Sequence, residues 1–440
     1  MKKKLLIFVS AILLGTASVF AQNGTTGQLK WSIISGTLTI SPISSEAVMP
    51  DYGSNNKAPW HAYSFITAII ENGVTTIGNM AFQNCNDLTS IIIPSSVATI
   101  GNLAFHNCSG LTSIIIPSSV ITIGYNAFSS CSLTSIIIPN SVTTIGDGTF
   151  AGCSDLASIT IPNSVTAMGT GIFNGCSSLT SIEVDTDNPN YSSNDGILYS
   201  KLQDTLIQCP GGKIGTLTIL NSVKTIVRFA FFACSGLTSI TISDSVTTIE
   251  DAVFQYCNGL ISITIPNSVK TIGRYAFDSC SSLTSVVIGN SVTTIGSGTF
   301  WGCYNLTSIT SYAITPPQVD NWTFNEVPEN ICISVPCESE KDYKQATGWA
   351  YFTNYTNCLA ANLTEIIAAG INIYPNPASN KLYIEGEGYE QIKIYDLLGK
   401  EVLRVDKEKE IEISGFANGV YNICLISRDK TIVAKKFIKK

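Results

Sequence analysis

Fourteen cysteines, two histidines and one cluster of acidic residues are the parts of this 440-residue chain whose types could do chemistry. Cysteines at this density suggest a disulfide framework or a thiolate metal site. Their spacing decides between these and a third role. Nine of them fall at 85, 108, 131, 153, 176, 234, 257, 280 and 303, in steps of 23 residues except for one of 22 and one of 58. A phenylalanine stands three residues before each: Phe82, Phe105, Phe128, Phe150, Phe173, Phe231, Phe254, Phe277 and Phe300. In-register side chains on stacked coils point in parallel, which leaves their Cβ atoms farther apart than the ~3.8 Å that a disulfide prefers. The ladder therefore reads as buried thiols that pack as small hydrophobes. Cys332, Cys337 and Cys358 lie off it and leave room for one disulfide and one leftover thiol. Irregular spacing and the lack of a nearby histidine disfavour zinc there.

The other chemistry is thin. His61 and His106 are too few for histidine-based catalysis or a multi-histidine metal site. Asp185, Asp187, Asn188, Asn190, Asn194 and Asp195 gather oxygens as a calcium loop does. No bidentate acid closes that loop, and the Asx and Asp-Gly turns of a hairpin account for the same residues. There is no G-x-S-x-G elbow, no H-E-x-x-H and no glycine-rich phosphate loop. The expectation is no enzyme and no cofactor, with a secreted hydrolase as the distant alternative. A net charge of −7 with only 13% charged residues argues against nucleic acid.

The elements that must carry these residues are repeats. The unit is L-x-x-I-x-I-P-x-S-V-x-x-I-G-x-x-A-F-x-x-C-x-x, and its period and leucine-isoleucine spacing predict a leucine-rich-repeat solenoid over 73–310. In one copy Leu88, Ile91 and Ile93 face inward from a short strand, with Ile92 outward between them. Pro94 ends the strand. Val97 and Ile100 return along the coil, Gly101 permits the bend, and Ala104, Phe105 and Cys108 pack inward from a turn of helix or 3₁₀. An insertion interrupts the period at about 183–220.

Residues 22–72 are expected to cap the first coil, with strands at Leu29–Ile34 and Gly36–Ile40 and bulk from Pro59-Trp60. Residues 311–361 are expected to cap the last, with a strand at Ile331–Val335 and a helix over Glu338–Tyr351. Before them, three lysines, an apolar run and Val19-Phe20-Ala21 form a secretory signal peptide over 1–21, cleaved after Ala21. No later run is long enough to cross a membrane. Beyond a linker at 362–370 the composition changes: residues 73–310 hold 18 charged residues, 371–440 hold 22. That tail alternates as short strands, at 371–374, 381–384, 391–395, 410–413, 420–426 and 431–433, and predicts a small Ig-like β-sandwich.

The repeat pattern resembles the BspA-type leucine-rich repeats of bacterial surface proteins, which implies adhesion to host matrix proteins. The tail resembles the type A sorting domain of the type IX secretion system. Its matching residues are Tyr374, Pro375, Asn376 and Pro377, then Asp396 and Gly399, Gly419 and Tyr421, and Lys435 and Lys436. That resemblance implies the type IX machinery as a partner, passage through the outer membrane, and a cell-surface or secreted location.

Two surfaces could then bind a host or neighbouring-cell protein or glycan. One is the variable outward strand position: Ile92, Ile115, Ile137, Thr160, Glu183, Thr241, Thr264, Val287 and Thr310, apolar in its first three copies. The other is a set of aromatics off the core pattern: Phe232, Tyr256, Tyr275, Trp301 and Tyr304. Against these stand the ordinary preference of β-branched residues for strands and the use of rings to shield seams between coils. A structural spacer or coat protein without a single ligand is the alternative function.

Overall fold

The computed structural model describes residues 22–355, 372–385, 389–396, 401–426 and 432–440. The expected leader, the linker, Cys358 and Gly399 lie outside these residues. The chain forms two units: one runs to Leu306 and takes in Gln318–Pro328, the other holds Thr307–Pro317 and everything from Glu329.

The first unit is the solenoid. Front strands stack in parallel, register on register: Thr37–Ile40 on Thr67–Ile70 on Ser90–Ile92, then Ser158–Ile161 on Ser181–Val184. The front ladder resumes with Gly215–Thr218, Leu237–Thr241, Ser262–Ile265 and Ser285–Ile288. Sequence periodicity predicts one front strand per copy, but residues 111–139 carry none. The inward-outward alternation survives there: Ile114, Ile116, Ile136 and Ile138 are buried while Ile115 and Ile137 are exposed. Side-chain burial, which the sequence encodes, is kept where the backbone ladder is not.

Most coils also carry a second strand that periodicity does not reveal, because it is two residues long. Thr99–Ile100, Thr122–Ile123 and Thr144–Ile145 form one parallel run, and Thr225–Ile226, Thr248–Ile249, Thr271–Ile272 and Thr294–Ile295 another. The third side, expected as helix or 3₁₀, is a chain of hydrogen-bonded turns.

Polar repeats hold coil to coil. Six serines of the x-S-V step, Ser96 to Ser268, donate from Oγ to the valine carbonyl of the preceding coil at 2.6–2.8 Å. Thr89, Thr180, Thr238 and Thr284 donate to the preceding coil at the start of the front segment. Inside, the phenylalanines stack face to face at 5.0–5.8 Å with interplanar angles of 0–23°. Seven ladder thiols donate to the phenylalanine carbonyl of the coil before, at 3.0–3.2 Å. The thiols are thus more than small hydrophobes: each gives a second donor to a carbonyl that already accepts the amide of the cysteine in its own coil.

The interrupted stretch contains a coil of its own. Tyr191–Asn194 and Ile197–Ser200 make a hairpin around Asp195-Gly196, both left-handed at φ 49° and 69°. Thr205–Gln208 then takes the short-strand place beside Thr225–Ile226. Cys209 is buried, and the Cys234 thiol points at its carbonyl at 3.8 Å. Another coil hides at 318–328, where Phe324 continues the ring stack on Phe300 and buried Val327 stands where cysteine would be. At the other end Trp60 is fully buried, donates from Nε1 to the Ala81 carbonyl at 2.8 Å and leans on Phe82.

In the second unit Ser308–Ser311 pairs in parallel with Cys332–Ser334. The single helix expected over Glu338–Tyr351 is broken into 3₁₀ turns at Cys337–Ser339 and Trp349–Tyr351 around a helix at Glu340–Gln345. Gly348, at φ 74°, turns the chain so that buried Trp349 donates to the Pro317 carbonyl. Tyr343 bonds both Ser311 and the Ala313 carbonyl.

The tail is a two-sheet module. Asn372–Tyr374, Lys381–Glu385 and Glu410–Glu412 form one sheet, and Glu401–Asp406, Gln391–Tyr395, Gly419–Ile426 and Ile432–Lys439 the other. Leu382, Ile384, Ile392, Ile394, Ile411, Ile423, Leu425 and Phe437 share its core. Strand Glu401–Asp406 is absent from the sequence expectation because charges at Glu401, Arg404 and Asp406 blur its alternation.

Candidate functional site

The outward strand positions divide sharply. Ile92, Ile115 and Ile137 are 55%, 84% and 82% exposed, large apolar side chains held out in water. Ile69, which pairs with Ile92 and carries the row into the preceding strand, is half-buried. It was missed because its strand precedes the first full copy of the repeat. Thr39 borders this stripe on one side and exposed Thr160 on the other. Glu183 is exposed but engaged: it accepts from Ser181 and, at 3.3 Å, from Ser193 of the hairpin. Thr241 and Thr264 are exposed, whereas Val287 and Thr310 are half-buried.

The aromatics fall into two groups rather than one row. Arg228 lies over the Phe229 ring at 4.4 Å, and Phe229, Phe232 and Tyr256 meet edge to face at 5.7 and 5.4 Å. Such contacts shield one another. The second group presents more open rings: Tyr275, Tyr304 and Trp322 are 39%, 58% and 57% exposed. Trp322 leans on half-buried Trp301 at 5.9 Å, Tyr275 overlies Gly298, and Tyr304 donates to Glu326 at 2.9 Å. Phe229 and Trp322 had no place in the sequence-derived set.

The residues with catalytic potential are engaged in contacts of the fold. Burial pushes the Cys85, Cys176 and Cys303 thiols up from 9.0 to about 12, far from the thiolate a nucleophile needs. Burial holds His61 below its ordinary range, and its Nε2 donates to the Ala81 carbonyl at 3.2 Å. His106 is bonded through Nδ1 to Ser129 at 2.6 Å. Asp195 of the acidic stretch pairs with Lys213 at 2.7 Å. Among the described residues no group of three or more histidines, cysteines or acids converges as a metal site, and no helix is long and apolar enough to cross a membrane.

In the tail, the Tyr374–Pro377 motif is joined to the C-terminal strand. The Ile438 amide donates to Asn376 Oδ1 at 2.9 Å and the Ala378 amide to the Ile438 carbonyl at 2.7 Å. Both Tyr374-Pro375 and Asn376-Pro377 are cis. Tyr421 stacks on Phe437 at 5.5 Å and donates to the Ala417 carbonyl at the start of the strand that Gly419 opens. Lys435 and Lys436 belong to the strand that pairs with Gly419–Ile426. Asp396 follows the strand Gln391–Tyr395.

Comparison with known proteins agrees with this geometry. The family model of the BspA type leucine-rich repeat region matches residues 69–194 and 209–328 in six copies. That of a secretion system C-terminal sorting domain matches residues 372–440, which implies the type IX system as partner and a cell-surface or secreted location. No catalytic family is among these matches. No curated protein matches the chain. Among solved structures, a leucine-rich repeat protein from Eubacterium ventriosum is 28% identical, with a TM-score of 0.61 over 70% of this chain and 82% of its own. The pneumococcal vaccine antigen PcpA shares the fold at 19% identity and a TM-score of 0.51, over 77% of this chain and 98% of its own. The repeat match alone spans more than half of the sequence, and the chain belongs to the BspA-type leucine-rich repeat family, with a type IX sorting domain at its C-terminus.

Proposed function

We propose that the protein is an adhesin-like recognition protein, exported through its sorting domain, which binds a host or neighbouring-cell surface protein through the front of the solenoid. The observation that carries this is the stripe Ile69, Ile92, Ile115 and Ile137. Isoleucines 82–84% exposed at two consecutive coils are costly in water, where burying each would return about 1.5–3 kcal/mol. Contiguous exposed apolar patches are a feature of interaction sites. The flanking threonines give the polar rim that interfaces carry.

The domain organisation fits this role: a cap over 22–72, coils over 73–310 with one more at 318–328, the rest of 311–361 as a second cap, a linker at 362–370 and the sorting module. Export begins with the signal peptide over 1–21. The test is saturable binding of the mature chain, residues 22–440, to immobilised extracellular-matrix proteins. Binding at one of them supports recognition. No binding together with concentration-dependent self-association of the chain would favour the spacer or coat role instead.

A further inference from the structure

Apart from the isoleucine stripe, a cleft of about 450 Å3 lies between the N-terminal segment 52–65 and the first turns at 80–87. Its volume falls in the range of small-ligand sites, ~300–1,000 Å3.

The wall combines one exposed aromatic ring, with Tyr52 and Phe65 buried beside it, and hydrogen-bonding groups of both kinds. Tyr63 is 40% exposed, and Trp31 backs it at 5.8 Å and 37°. A ring held from behind offers its other face at little entropic cost. Because a carbonyl only accepts, the 3.2 Å contact of His61 Nε2 with Ala81 O puts the ring proton on Nε2. The neutral imidazole then has Nδ1 as an acceptor. Asn84 accepts at Oδ1 from Asn107 at 2.9 Å, so its amide nitrogen remains a donor. Ser64 donates to Asp87 Oδ2 at 2.7 Å, which fixes that carboxylate and leaves its second oxygen to accept. Lys57 supplies a cation on the same lining, so Lys57 and Asp87 balance in charge.

A polyanion would want more than one cation, and a cationic ligand more than one acid. A balanced set of donors and acceptors beside an aromatic face matches an uncharged polyhydroxyl ligand, whose hydroxyls both donate and accept and whose C–H face stacks on the ring. We propose that this cleft binds a neutral oligosaccharide of two or three sugar units, so that the protein carries a glycan site separate from its protein-binding face.

Titrations of the mature chain with mannotriose, chitotriose and maltotriose, and with sialyllactose as the anionic counterpart, test this. The expected result is saturation by at least one neutral trisaccharide and weaker or no binding of sialyllactose. Affinity should fall at least tenfold in Tyr63→Ala and in Asp87→Asn, both with unchanged melting temperature, and persist in Tyr63→Phe. An Ile92→Asp/Ile115→Asp/Ile137→Asp variant should bind the saccharide as the parent does, which separates this site from the proposed protein-binding face. Failure of all three neutral sugars to bind at millimolar concentration would overturn the proposal. So would binding that Tyr63→Ala and Asp87→Asn leave intact, or a preference for sialyllactose.

Discussion

The Sγ of Cys280 lies 3.1 Å from the carbonyl oxygen of Phe254, 26 residues earlier and one coil back. Repeated along the array, this contact ties the cysteine and phenylalanine ladders into one device. The stacked rings fill the core, and each thiol adds a second donor, from the next coil, to a buried carbonyl that already accepts an amide of its own coil. In Cys280→Ala that carbonyl keeps the Cys257 amide and loses its second donor, and we expect a loss of about 0.5–1.5 kcal/mol. Cys280→Ser, which keeps a donor, should fold but with a shifted fit. Chemical denaturation of the two variants checks the order.

The same burial makes stability fall at high pH. Cys85, Cys176 and Cys303 hold their protons to about pH 12 in the folded chain, against 9.0 ordinarily. Above pH ~9 the folded state therefore binds more protons than the unfolded state, and stability decreases as pH rises. Between pH 6 and 8 these thiols contribute no slope. Melting temperatures across pH 7–11 should be flat at first and then drop, and a thiol reagent at pH 8 should leave the buried ladder thiols from Cys108 to Cys303 unmodified until the protein is unfolded. A drop already under way between pH 6 and 8, or rapid native labelling at those positions, would contradict the burial argument.

Phe128 stacks on Phe105 at 5.4 Å and on Phe150 at 5.8 Å in the middle of the first ring run. Phe128→Ala should cost about 3–5 kcal/mol. Because each coil contacts only its neighbours, the loss should split the melt into two steps rather than lower a single transition. Calorimetry distinguishes the two.

Much of this was legible in the sequence, and the failures share a cause. A 23-residue period with phenylalanine and cysteine at fixed offsets makes the solenoid visible, because one stacked geometry demands the same side chain at every coil. Where a coil changes its side chain, periodicity loses it. Cys209 lies outside the spacing because a hairpin precedes it, and the coil of Phe324 ends on Val327. The two-residue Thr-Ile strands are too short to show alternation. The lapse of the front ladder at 111–139 has no trace in a sequence that repeats Ser-Ile-Ile-Ile-Pro there and in the copy before. Of the candidate site, the exposure of Ile92, Ile115 and Ile137 follows from strand alternation, whereas the cleft beside Tyr63 depends on how two distant segments meet.

The sorting module closes on its own last strand. Ile432–Lys439 pairs with Gly419–Ile426 along its whole length, and Asn376 holds it through the Ile438 amide. A chain ending at Ile426 would lose the strand that covers Tyr421, so it should accumulate in the periplasm of the producing cell. Asn376→Ala should lower the stability of the module by about 0.5–1.5 kcal/mol. Fractionation of cells that express each variant checks both. Normal export of the truncated chain would contradict the assigned role of that strand.

The role proposed for the front stripe is recognition of a protein partner. The most direct measurement compares mature wild-type chain with Ile92→Asp/Ile115→Asp/Ile137→Asp for binding to whichever matrix protein the wild type saturates. Because these side chains already stand in water, the variant should keep its melting temperature within a few degrees. The account predicts a loss of at least a hundredfold in affinity, since aspartates at the centre of an apolar contact bury unpaired charge. Undiminished binding by a folded triple variant would contradict it.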